Sequence, residues 1–185
     1  MVAMTRHFET SQWVPFAVEL VFAFLANPQN LVHLAPPHLK LRVEDVRFTP
    51  PPPRPVATDP ARRFQSVGAG RGSEILVSFV FLPWTPRLSW TSRIVEFKWY
   101  SHFSEEHVRG PFAVFRHRHG IAAENRSQVA GTLVTDSIEY ALPSGIIAAL
   151  AAARVWRQLQ ESFAYRQQRL PEVLAAAARQ AARKE

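Results

Sequence analysis

Two histidines an interval of two apart, His117 and His119, offer this chain its clearest prospect of chemistry. On an extended strand side chains alternate faces, so both imidazoles share a side with Phe115 and Ile121, opposite Val114, Arg116 and Arg118. Arginines seldom face a core, which turns the Phe/His/His/Ile side inward. A face mixing hydrophobes with imidazoles suits a pocket wall better than a dry core. Further on, GTLVTDSIEYAL (131–142) groups Asp136 with Val134, Ile138 and Tyr140 by the same alternation. A carboxylate there is costly unless paired. It is either held by a histidine or arginine of a neighbouring strand, or it is a general base whose pKa burial raises. Tyr140 either presents its hydroxyl to the cavity or packs under a helix.

Three roles are open to the histidine pair. The spacing is compatible with metal binding, with a third ligand from His102, Asp136 or Glu106. Zinc sites, however, need three or four convergent ligands with supporting partners, and no spacing marks them here, so neither a metal nor any other cofactor is expected. Polar contact with a bound ligand and structural hydrogen bonding across a sheet are the other two roles. The catalytic candidates are accordingly His117, His119 and Asp136. The ligand-contacting candidates add Phe24, Trp84, Trp90, His102, Phe115, Tyr140 and Leu150, with LPWTPR (82–87) as a stiff lip to the opening. Other chemistries are excluded. The chain has no Cys, hence no disulfide, thiolate nucleophile or Cys-ligated zinc. No GxSxG surrounds a serine. GAGRG (68–72) lacks the third glycine and the following helix of a dinucleotide fingerprint.

The elements that must position these residues follow from periodicity. Residues 5–14 predict a first strand, Pro15 opens a helix with Val18, Val21, Phe22 and Leu25 on one side, and 29–35 predict a second short helix. Strands are predicted over 39–48, 73–82, 88–98 (Trp90, Ser92 and Ile94 opposite Thr91, Arg93, Val95 and Phe97), 99–109, 112–122 and 131–142, the pair around Gly110-Pro111 forming a turn. At Pro143-Ser144-Gly145 the period changes to 3.6. A long helix over 146–170 then carries Ile147, Leu150, Val155, Leu159 and Phe163 inward, with Arg154, Arg157, Gln158 and Glu161 outside. Pro171 is expected to break it, leaving an Ala-rich tail (171–185) that frays.

At 185 residues and 47% hydrophobic, with 13 Phe and 5 Trp, the chain reads as a single domain, 1–185, with TPPPPRPVATDPARR (49–63) as a proline-rich surface loop. No apolar run is long enough for a membrane span, and no secretory signal precedes the first strand, so a cytoplasmic location is expected. The net charge of +7 is scattered, without a basic stripe or nucleic-acid motif. Nucleic acid is therefore not an expected partner, whereas peripheral contact with an anionic membrane is allowed by charge. The oligomeric state is open.

Strand, two short helices, six strands and a long C-terminal helix make an α+β helix-grip fold: a seven-stranded curved antiparallel sheet wrapped around that helix. LAPPHLKLRV (34–43), GPFAVFRHRH (110–119), GTLVTDSIEYALPSG (131–145) and AYRQQRL (164–170) resemble the START-like polyketide cyclase/dehydrase superfamily (SRPBCC). They are most similar to a bacterial branch related to coenzyme Q-binding proteins and to domains fused to sugar-nucleotide epimerase-like proteins. The resemblance implies a hydrophobic-ligand cavity under the long helix. Binding or transport of a lipid, quinone or polyketide-like molecule is the leading expectation, ahead of a cyclase or dehydratase that uses the cavity His and Asp residues as acid and base. A third reading makes the proline-rich loop a docking segment for a protein partner.

Overall fold

The structure, a computed structural model, describes residues 5–55 and 67–182, with side chains throughout these except at 146–150, 181 and 182. Much of the proline-rich stretch (56–66) and the last residues lie outside the description. Seven strands form one antiparallel sheet: β1 (Arg6–Val14), β2 (Arg42–Arg47), β3 (Glu74–Phe79), β4 (Leu88–Lys98), β5 (His102–Arg109), β6 (Val114–Ala123) and β7 (Thr132–Ala141). Their spatial order is β1-β7-β6-β5-β4-β3-β2, so β2 to β7 meander and β1 closes against β7. Two short helices, α1 (Val18–Leu25) and α2 (Leu31–Leu34, after a 3-10 turn Pro28–Asn30), follow β1. The long helix α3 (Ile146–Ala182) lies across the concave face, completing the helix-grip arrangement.

Alternation predicts the inward faces of β6 and β7 correctly. Phe115, His117, His119 and Ile121 are 2–7% exposed, as are Val134, Asp136, Ile138 and Tyr140 at 0–5%. The arginines of β6 face out and are paired there: Arg116 with Glu106 at 2.7 Å, Arg118 with Glu96 at 2.6 Å.

Four expectations need correction. The strand expected over 39–48 starts at Arg42, because Pro37–Leu39 form a 3-10 turn and Lys40 takes φ 44°. Phe97 faces inward rather than away from Ile94, since a register shift between Ile94 and Glu96 inserts one residue and flips the alternation. Its ring then meets Phe22 edge-on at 5.4 Å. Trp99–Ser101 form a turn, and β5 begins at His102.

The fourth correction concerns Pro171, which sits inside α3 and does not end it. Proline removes the N–H that would reach the carbonyl of Gln167. That carbonyl instead accepts a hydrogen bond from Gln12 Nε2 at 2.6 Å, and Gln167 Nε2 donates to Thr10 Oγ1 at 2.7 Å. Two glutamines thus splice β1 to the helix where its own ladder is interrupted. Beyond the proline, Leu174 is fully buried, and Val173, Ala177 and Ala178 pack on the same core as Val21 and Phe22. Packing, not propensity, holds this last stretch helical.

The described part of the proline-rich segment is docked on its own protein. Trp99 Nε1 donates to Pro52 O at 2.7 Å, Tyr100 OH donates to Pro55 O at 3.2 Å, and the Arg54 guanidinium lies 4.5 Å from the Trp99 ring. Gly70 lies beneath this run, where a Cβ would come within 2.6 Å of the Pro51 backbone. Close approach of two backbones accounts for that glycine of GAGRG.

Candidate functional site

Between the sheet and α3 lies a cavity of about 1050 Å³. Its walls are mostly apolar: Phe24 and Leu34 from the short helices, Ile75, Val77 and Trp90 from the sheet, Val155 and Phe163 from α3. Of the sequence candidates, Phe24, Trp90, Phe115, His117 and His119 line it. Trp84 does not, being 90% exposed on the β3–β4 turn, although Phe81 and Leu88 on either side of that turn do line the cavity. Tyr140 is fully buried behind the wall, against Phe8, Phe115 and Phe163. His102 sits outside the cavity, with Ser101 Oγ 3.0 Å from its Nδ1. The side chain of Leu150 is not among those described.

One patch of wall is polar. Register places it: His119 pairs with Asp136 across β6 and β7, while β5 brings Phe103 opposite His119 and Glu105 opposite His117. Asp136 Oδ1 lies 2.9 Å from His117 Nε2 and 2.8 Å from His119 Nδ1. From α3, Arg166 NH1 reaches the same oxygen at 3.3 Å. Glu105 stands on the cavity side, its Oε1 3.5 Å from His117 Nδ1 and 4.0 Å from His119 Nε2. Ser92 Oγ donates to Glu105 Oε2 at 2.5 Å. Phe103 stacks on the His119 ring at 4.3 Å and covers that side of the cluster.

The charges can be assigned. Burial opposes ionisation of Asp136, but Arg166 and the two histidines outweigh it and hold the carboxyl well below its usual value. Burial likewise works against the Glu105 carboxylate, and the His117 and His119 rings facing it reverse the balance. His117 lies between two carboxylates, which overcome its burial and raise its pKa. His119 is lowered, first by burial and then by the charge on His117. Two carboxylates thus face Arg166 and a His117 whose protonated form they favour, while the neutral form of His119 is favoured. His119 Nδ1 lies between Asp136 Oδ1 at 2.8 Å and Arg166 NH2 at 3.4 Å, so Nε2 is the nitrogen it turns toward Glu105 and the cavity. Asp136 is thus a buried, paired carboxylate and not a base with a raised pKa.

Glu105, Arg166 and Gln158 are site residues that sequence reasoning missed. A hairpin centred on Pro111 puts Glu105, not Glu106, opposite His117. Glu106 points outward to Arg116. Arg166 interrupts the apolar stripe of α3 between Phe163 and Leu170, a charged residue where helical spacing demands burial. Gln158, expected outside, is 8% exposed, lines the cavity and has no hydrogen-bond partner on Oε1. Among the described residues, Glu105, His117 and His119 form the one His/acid group that could hold a metal ion, their ligand atoms lying within 4.8 Å of one another.

No protein family model matches the sequence, and no curated protein matches it. Solved structures do. The chain is similar to TTHA0849 from Thermus thermophilus (TM-score 0.57, 18% identity, 93% of this chain and 99% of that one). It is similar to the Zhui aromatase/cyclase from a Streptomyces species (TM-score 0.64, 13% identity, 95% of each chain). It is also similar to Ara h 8.0201 (TM-score 0.55, 10% identity, 89% of this chain and 97% of that one). Sheet order, helix placement and these likenesses together give this chain the helix-grip fold.

Proposed function

We propose that this protein binds a largely hydrophobic small molecule, a lipid, quinone or polyketide-like compound, in the cavity under α3. The observation that carries the reading is the cavity itself: about 1050 Å³ of space behind mostly apolar walls, with one buried polar patch. Because the pocket is partly open to solvent, it is occupied by water or by a ligand, and an apolar guest that displaces water from these walls gains by burial. A molecule with an apolar body and one hydroxyl-bearing end matches the walls, gives Gln158 Oε1 a donor and reaches His119 Nε2. Native mass spectrometry of gently purified protein, followed by organic extraction, should reveal a co-purifying apolar compound. A protein that carries none and takes up no apolar fluorescent probe would refute the reading.

A second reading, a cyclase or dehydratase, is favoured by His119: an imidazole whose neutral form is favoured, held against Asp136 and Arg166 with Nε2 toward the cavity, is placed to exchange a proton with an enolisable substrate. Turnover of a polyketone analogue with a bell-shaped pH profile, lost in His119→Gln while the analogue still binds, would favour it over simple carriage.

A further inference from the structure

We propose that Glu105, His117 and His119 form a binding site for a divalent transition-metal ion of the zinc or ferrous class, open toward the cavity. The inference goes beyond the binding of an apolar ligand and does not depend on it.

Two kinds of contact coexist in the cluster, and their lengths separate them. His117 Nε2 is hydrogen-bonded to Asp136 Oδ1 at 2.9 Å, and His119 Nδ1 lies 2.8 Å from the same oxygen and 3.4 Å from Arg166 NH2. Both contacts to Glu105 are longer, at 3.5 and 4.0 Å, outside the usual hydrogen-bond range of about 2.7–3.2 Å. They approach the roughly 3.4 Å that separates two ligand atoms each about 2.1 Å from a tetrahedral ion. Glu105 therefore stands off from the imidazoles by close to one edge of a coordination polyhedron. Its side chain keeps 21% exposure, against 8% for each histidine, so it is the ligand with room for the remaining adjustment.

The supporting contacts have the form a metal site needs. Each histidine has one nitrogen against Asp136, which orients the ring and leaves the other, His117 Nδ1 or His119 Nε2, toward Glu105; a bound ion would displace any proton carried on that nitrogen. A carboxylate behind a ligating imidazole is the usual outer partner of such sites. Here one carboxylate serves both rings, and Arg166 holds that carboxylate at 3.3 Å. Ser92 holds the second oxygen of Glu105 and leaves Oε1 toward the rings. Two imidazoles and one carboxylate leave coordination positions free, the pattern of catalytic zinc and non-haem iron sites rather than of closed structural ones. All three ligand residues line the cavity, so a free position lies on that side.

The test starts from full-length protein dialysed against EDTA and titrated with Co²⁺, read by visible absorption, and with Zn²⁺, read by calorimetry. One equivalent should bind with a Kd in the micromolar range or tighter. Glu105→Gln and His119→Gln, each confirmed as folded by circular dichroism, should weaken it at least 100-fold. Asp136→Asn should weaken it about 10–100-fold through loss of imidazole orientation. Changing the exposed His33 to Ala should leave it unaltered. Wild-type protein that binds no ion at 100-fold excess overturns the proposal, because it needs no variant to fold. Binding that survives both ligand variants also overturns it, since the ion then sits on surface histidines.

Discussion

The two ends of the molecule's interior are made from similar residues and end up opposite in character. Under α1 and the last turns of α3, Phe22 meets Phe97, Trp99, Tyr100 and Phe103 at centroid distances of 5.3–5.9 Å, and Val21, Phe22 and Leu174 retain no exposure at all. A few residues away, Trp90, Phe115 and Phe163 stand around a hollow. Phe103, stacked on His119, marks the border. Aromatic content alone therefore does not decide whether a cupped sheet is filled. What decides is where the helix comes down: α3 rests on the sheet at Leu170 and Leu174, and the carboxylate–imidazole–guanidinium cluster stands beside that contact. The solid end supplies stability, and the hollow end is free to be shaped for a ligand.

The contrast can be broken most severely at the solid end. Phe22→Ala should destabilise by about 3–5 kcal/mol in urea unfolding, since no neighbouring ring can close the gap. Asp136→Ala should cost about 3 kcal/mol or somewhat more, because it leaves Arg166 and His117 buried without their partner. This pair of losses sits in a network, so pH separates it from plain packing. In metal-free protein the lowered pKa of Asp136 contributes stability that is complete above its unfolded value of 3.8 and is lost as pH falls through the folded value. The raised pKa of His117 contributes stability that is complete below 6.5 and fades as pH rises through its folded value. Unfolding midpoints measured against pH should show the second limb in wild type and not in His117→Gln, whereas Phe22→Ala should shift the whole curve down without changing its shape.

Smaller changes sharpen the comparison. Val77→Phe points new volume into the hollow and should cost less than about 1.5 kcal/mol, since there is space to receive it, while reducing uptake of an apolar probe at least tenfold. The same enlargement at Val21, in the solid end, should cost more than it does at Val77. Gln12→Ala should cost about 1 kcal/mol by leaving the Gln167 carbonyl without its donor.

How much of this is legible in the sequence follows the range of the forces involved. Alternation on β6 and β7 is enough to turn His117, His119 and Asp136 to one side, because strand periodicity is a local property. The partners of those residues are not local. Glu105 depends on the register across a hairpin, and choosing Glu106 instead reverses the face. Arg166 comes from another element altogether, yet its place in an apolar stripe is visible in AYRQQRL. Phe97 is misplaced by alternation because a bulge resets the period without a signature in composition. Pro171 misleads because the group that compensates for it, Gln12, lies at the other end of the chain.

The splice at Pro171 makes α3 a lever with a fixed foot. Its C-terminal turns are seated in the dry interior, its midpoint is tied to β1 through Gln12 and Gln167, and its forward half spans the hollow. A guest of varied girth can lift that forward half against a fulcrum already lacking one helical hydrogen bond, leaving the seat undisturbed. Amide exchange along the helix should accordingly be slow at 172–178 and faster at 151–160, with the difference shrinking once the hollow is occupied.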